Sequence, residues 1–299
     1  MNGSSESHEK PPYPYFYYGV VNTTLSLILL VLSVIVMIGI RRKSNFSSLT
    51  SFQIMFILSA IDITQLVAHL YSGISLIIPQ EIPEILDMLV GSIMAGAWIS
   101  MHVFGTLLAL HRMMCFAFPV TERMLFTGFR KQIVFYLSAA TFPIYTVLQW
   151  TQWTSYLWIK DEFSWDYDYE KPLGYIFLKI DEYFIVFFLI VAAISYTIIL
   201  YILIIGRVKK HKEVMFTAQV FFYCLYCALT FCLWTFVEPL LEPKPIVWFW
   251  TNLPWIFWNG AHSVMCLTFN RSIRGNVVAL LRRSVSPQKS TSTMRKCYG

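Results

Sequence analysis

Apolar residues run through this chain in seven long blocks, at 18–40, 49–78, 85–110, 133–156, 183–205, 214–237 and 246–269. Within a block they neither alternate, as in a half-buried strand, nor keep to a single helical stripe. Each block has the roughly 20 residues a helix needs to cross a hydrocarbon layer. Lipid offers backbone groups no hydrogen-bond partner, so a helix, which satisfies them internally, is the element such a block forms. The pattern therefore predicts an all-α membrane protein, a seven-helix bundle occupying 18–269. The connections are short and leave no room for a second domain. Residues 1–17 precede the bundle. After it, Ile273, Val277, Leu280 and Leu281 fall at i, i+4, i+7 and i+8 with Arg271, Arg274, Arg282 and Arg283 elsewhere around the turn, which predicts an amphipathic interfacial helix over 270–283. The Ser-, Thr- and Lys-rich tail, 284–299, cannot bury surface and reads as disordered.

Charge orients this bundle. Of the 23 Lys and Arg residues, eighteen lie in alternate connections and the tail, beginning with Arg41, Arg42 and Lys43. Only Lys10, Lys160, Lys171, Lys179 and Lys244 fall on the other side. Basic loops stay in the cytoplasm, so the N-terminus is expected outside and the C-terminus inside. Acids favour the opposite end, and the longest outer loop, 157–182, holds seven of them among Trp158, Phe163, Trp165, Tyr167 and Tyr169. Two readings of that loop stand: a lid over an outer vestibule, or a solvated loop whose aromatic residues rest at the membrane interface.

Composition closes other routes. With 57% apolar, 17% aromatic and 13% charged residues in 299, the chain does not have the makeup of a water-soluble protein. The net charge of +6 comes from basic residues at span ends, where headgroups and topology account for it, so no nucleic-acid partner is indicated. No basic segment precedes a short apolar one at the N-terminus, so the first block is expected to act as its own insertion signal. Sequons at Asn2 and Asn22 fall toward the outside, and those at Asn45 and Asn270 toward the inside. None of the six cysteines (Cys115, Cys224, Cys227, Cys232, Cys266 and Cys297) falls in an outer loop, so no outer disulfide is expected.

Polar residues within the blocks carry the candidate chemistry. Asp62 lies near the middle of the second block, where a carboxylate costs about 2.5–3.5 kcal/mol on insertion scales and so faces the bundle interior. Gln65 and His69 follow at i+3 and i+7 on the same stripe. The stripe reads as one wall of a wet cavity, against the plainer reading that Asp62 only bonds helices together. Trp98, His102 and Thr106 follow one another at i+4 on the third block, a face that suits either ligand contact or helix packing. A zinc hydrolase would need three ligands at one depth. His69 and His102 are in the outer to middle regions and His262 is in the inner part of the seventh block, with no H-x-x-x-H or H-E-x-x-H pairing, so no catalytic metal or other cofactor is expected. A transporter would be expected to show repeated halves, and none is visible.

The second block reads Ser51 through Asp62, and the third ends Leu107 to Met113 with Arg112 at its close. An acid in the middle of the second span and an Arg closing the third resemble the rhodopsin-like receptor pattern. More narrowly, Gln53-Ile54-Met55-Phe56 with Ile61-Asp62, the stretch Leu125 to Arg130, and Leu267 to Arg274 resemble the nematode serpentine chemoreceptors, most closely class T. The resemblance spans 49–281. It implies a plasma-membrane sensory receptor without enzymatic activity, binding a small odorant-like ligand among the second, third, fifth, sixth and seventh spans and signalling to a heterotrimeric G protein. On that reading Gln65, His69, Trp98, His102 and Thr106 contact ligand, Asp62 and His262 form a conformational switch, and Arg112 meets the G protein. A transporter or ligand-gated channel is the alternative. The pattern is also departed from: His111 stands where an acid or Asn usually precedes the Arg, and His262-Ser263-Val264-Met265-Cys266 replaces Asn-Pro-x-x-Tyr. The usual disulfide between the third span and the second outer loop is missing too.

Overall fold

The computed structural model describes residues 13–78, 80, 82–205 and 211–285. The sequon at Asn2, the centre of the third basic loop and the tail from 286 onward lie outside the described residues. Seven long helices form the bundle: α1 (Tyr13–Arg41), α2 (Thr50–Ile77), α3 (Glu84–Ala117), α5 (Gly128–Leu148), α6 (Gly174–Ile205), α7 (His211–Cys232) and α8 (Pro245–Phe269). A short α4 (Pro119–Leu125) joins α3 to α5, and α9 (Arg271–Val285) follows α8. Five of the seven are long and apolar enough to cross a membrane by hydropathy alone. The other two fall short because α5 starts with Arg130 and Lys131 and α8 carries Trp, Asn and His, residues that a bundle interior accepts but a hydropathy average does not reward.

Two span limits differ from the sequence pattern. The fourth helix ends at Leu148, not near 156, because Thr151, Thr154 and Ser155 turn the chain into a hairpin of β1 (Tyr156–Ile159) and β2 (Ser164–Tyr167). Its antiparallel register pairs Trp158 with Trp165 and Tyr156 with Tyr167, which puts all four rings on one buried face. The fifth long helix starts at Gly174 instead of 183. Lys179, Asp181 and Glu182, read as loop residues, are thus helical. A continuous apolar run marks lipid depth but does not mark where hydrogen bonding begins.

α3 is the axle of the bundle, packing on α2, α5, α6 and the hairpin, while α8 closes the ring against α1, α2 and α7. Small and hydroxyl residues set these approaches, as expected where lipid supplies no hydrophobic push between helices. A Cβ at Gly73 would lie 2.7 Å from the backbone nitrogen of Thr23, so α1 and α2 touch nearly backbone to backbone. Ser263 donates to Ser33 at 3.0 Å, Asn22 donates to Ser72 at 3.3 Å, and Ser100 and Thr141 share a bond of 3.1 Å. At the basic end α9 folds back under α1: Ile273 and Val277 are buried, and Asn276 donates to the Gly39 carbonyl at 3.0 Å. Leu281, placed on the same face by spacing, is instead exposed.

Candidate ligand and coupling sites

The buried polar residues of α2 and α8 face each other along the bundle. Asp62 is 1% exposed, and its Oδ2 lies 3.7 Å from His262 Nδ1. Ser59 Oγ is 3.4 Å from the same nitrogen. On the far side of the ring, His262 Nε2 is 3.6 Å from Cys266 Sγ, which accepts from Gln219 of α7 at 3.2 Å. The two proposed switch residues are therefore in one contact set that reaches three helices. A cavity of about 10 Å³, room for roughly one water, borders it, lined by Gln219, Tyr223 and His262 among others.

Above this set, toward the acidic end, three of the five ligand candidates, His69, Trp98 and His102, enter one aromatic cluster. The Trp98 ring meets His102 at 4.7 Å, Trp255 at 5.2 Å and Trp258 at 5.3 Å. His69 stands edge-on to Trp255 at 5.4 Å, and Gln65 points its amide at the Met101 sulfur, 3.6 Å away. His102 binds the Trp98 carbonyl through Nδ1 at 2.8 Å, which turns Nε2 inward. Thr106 is half-buried and lies outside these ring contacts. Three members went unremarked in the sequence: Trp234, Trp255 and Trp258. Trp234 is set in a π-helical turn, Leu233–Val237, continuing α7, and stacks on Trp258 at 5.8 Å while donating to the Thr251 carbonyl at 2.9 Å. Tyr226 donates to the Pro254 carbonyl at 2.7 Å, so α7 grips α8 where the internal proline interrupts its ladder. Both nitrogens of His69, both amide atoms of Asn259 and the indole nitrogen of Trp255 find no hydrogen-bond partner among the described residues. Buried polar atoms of this kind call for a partner, and rings with free donors and acceptors are the chemistry a small polar or aromatic molecule binds.

The hairpin caps that end. Trp158, Phe163, Trp165 and Tyr167 are each 5% exposed or less, so four of the five aromatic residues of the acidic loop are inside the protein, while Tyr169 is half-exposed at its surface. Phe163, at φ 48, packs on Tyr18 at 4.9 Å. Asp181 accepts from Tyr145 at 2.9 Å and from Tyr167 at 2.6 Å, tying α5, β2 and α6 together. Burial also holds the Asp166 carboxyl above its ordinary value.

At the basic end Arg112 lies five residues before the end of α3, because the helix continues to Ala117. It is 9% exposed and its guanidinium stacks 5.2 Å from the Phe116 ring centre. Beside it His111 receives a carboxylate from elsewhere: Glu122 of α4, 3.3 Å from Nε2, with Ser51 of α2 at 3.0 Å from Nδ1. A carboxylate thus reaches the residue preceding Arg112 from across the turn between α3 and α4.

A seven-helix membrane bundle with a hairpin-capped aromatic cluster at one end and a buried Arg at the other is the architecture of the seven-transmembrane receptors. The chain belongs to one family of them, the serpentine type 7TM GPCR chemoreceptors of class Srt, whose model matches residues 2–290. Among solved structures it is similar to squid rhodopsin, with a TM-score of 0.67 over 91% of this chain and 87% of that one, at 11% identity. Comparison with curated proteins gives no match. The similarity in fold is thus carried by the arrangement of helices and hardly at all by the residues at equivalent places.

Proposed function

We propose that the chain is a chemosensory receptor of the plasma membrane that takes a small extracellular ligand into the bundle and signals to a heterotrimeric G protein. The observation that carries this reading is the buried cluster beneath the hairpin in which His69, Trp98 and His102 meet Trp255 and Trp258, with Gln65 beside it on Met101. Its lower edge is the Asp62–His262 contact, and beyond that, along α3, is Arg112. A ligand acts by favouring one arrangement of helices over another. Here the contact set of α2, α7 and α8 around His262 is the element whose arrangement it would bias. The acidic, hairpin-capped end faces outside and the basic end faces the cytoplasm, following the distribution of Lys and Arg.

The test is a calcium or cAMP assay in cells expressing the chain with a panel of G proteins and volatile or small polar compounds. A response that requires both a compound and a G protein supports the reading. A compound-gated current that persists without any G protein would replace it with a channel.

A further inference from the structure

Away from the aromatic cluster, three groups with metal-ligating atoms meet at the foot of α3. His111, Cys115 and Glu122 place one ligand atom each within 4.8 Å of one another. We propose that they form a divalent transition-metal site of the zinc type, clamping α4 to α3 beside Arg112. This is independent of the receptor reading above and needs neither ligand nor G protein.

The distances carry the argument. Tetrahedral zinc with ordinary Zn–N, Zn–O and Zn–S lengths holds N and O about 3.3 Å apart and N and S about 3.6 Å apart. His111 Nε2 lies 3.3 Å from Glu122 Oε1 and 3.8 Å from Cys115 Sγ. The first separation matches, and the second needs only a wider angle at the metal. The contact between Glu122 and Cys115 is the one that must close, and Glu122, with 22% of its side chain exposed, has the freedom to move. His111 and Cys115 are at i and i+4, so one helix face presents both.

The surroundings fit the same chemistry. Metal-bound histidines usually donate their second ring N–H to an oxygen, which fixes the tautomer. Ser51 Oγ, 3.0 Å from His111 Nδ1, is placed to accept it. The lone pair of Nε2 then points at a carboxylate oxygen 3.3 Å away, and two lone pairs face each other unless a proton or a cation lies between them. A thiolate and a carboxylate balance the two charges of zinc, which suits a position next to Arg112 and Lys131. On binding, the Cys115 thiol releases its proton to solvent as its sulfur bonds the metal. Glu122 lies at the solvent edge, leaving a fourth position for water.

Cobalt reports such a site by colour. The full chain, purified reduced and inserted in nanodiscs, is titrated with Co²⁺ and the spectrum followed. One Co²⁺ per chain is expected, with a thiolate-to-cobalt band in the near ultraviolet, tetrahedral bands in the visible, and loss of both on adding Zn²⁺. Cys115→Ser should abolish the near-ultraviolet band, while Cys232→Ser and Cys297→Ser leave it intact. Ser51→Ala, which removes only the supporting hydroxyl, should weaken binding about tenfold, and Glu122→Gln should weaken it at least as much. Helix content by circular dichroism shows that each variant is folded. A wild-type chain without the band, or a band that survives Cys115→Ser, overturns the site and leaves His111 and Glu122 as a proton-bridged pair.

Discussion

An arginine that merely anchors topology extends its head to the lipid surface, whereas Arg112 is buried and stacked on Phe116. It is also near enough to Tyr196 of α6 to affect it electrostatically, so a change in the α3–α6 contact is felt at the guanidinium. Arg112→Ala is therefore expected to reach the surface and bind ligand but to lose G-protein activation, and Arg112→Lys, which lacks the planar fork, to recover part of it. Full signalling by Arg112→Ala at matched surface density would refute the coupling role. Asp62→Asn keeps shape and hydrogen bonding but removes the charge facing His262. Surface level should persist while potency or maximal response changes by several-fold, and an unchanged dose–response curve would reduce Asp62 to helix bonding. At this scale legibility followed contrast. Asp62, His69 and His102 stand out because polar residues in an apolar block are costly. Trp255 and Trp258 did not, since a tryptophan there suits lipid as well as a chamber wall. Glu122 joined His111 only through the reversal at Phe118 and Pro119, and no spacing rule links residues across such a turn.

The hairpin was the least legible element. Trp150, Trp153 and Tyr156 extended the preceding apolar block, so the pattern carried a helix through to 156, and Trp158, Trp165 and Tyr167 read as loop residues. Only the pairing of β1 with β2 shows that alternate rings share a face. Its seat on α3 is tight: a Cβ at Gly91 would lie 1.8 Å from the Tyr156 carbonyl oxygen. Gly91→Val should therefore displace the hairpin and cost about 1–3 kcal/mol, the usual range for overpacking. The measurement is a lowered melting temperature in detergent together with faster cleavage of the loop by added protease. Tyr167→Phe removes the buried bonds to Asp181 and Tyr145 and leaves their oxygens short of a partner, a loss worth about 1–3 kcal/mol, and should loosen the same loop without moving α3. Protease resistance equal to wild type in both variants would show that the hairpin is held by something else.

For the whole molecule, the sequence pattern sufficed for helix number and approximate limits, because lipid imposes a length and forbids unsatisfied backbone. It could not say which faces meet, since a helix apolar all round has no preferred partner until hydroxyl and glycine contacts choose one. Topology rests on the basic residues alone, so neutralising Arg41, Arg42 and Lys43 together should yield mixed orientations, read by antibody access to tags at both ends of intact cells. A uniform N-terminus inside for the unaltered chain would invert the whole assignment. The hairpin also bears on the order in which the chain assembles. It is synthesised after α3, whose Gly91 receives it, but before α6 supplies Asp181 and before α8 supplies Phe249, whose ring lies 6.4 Å from that of Phe163. A nascent chain that has released α5 holds the cap through α1, α3 and α5 but not yet through α6 or α8. The aromatic cluster under the hairpin therefore closes only in the last stage of assembly, when α8 arrives carrying Trp255 and Trp258.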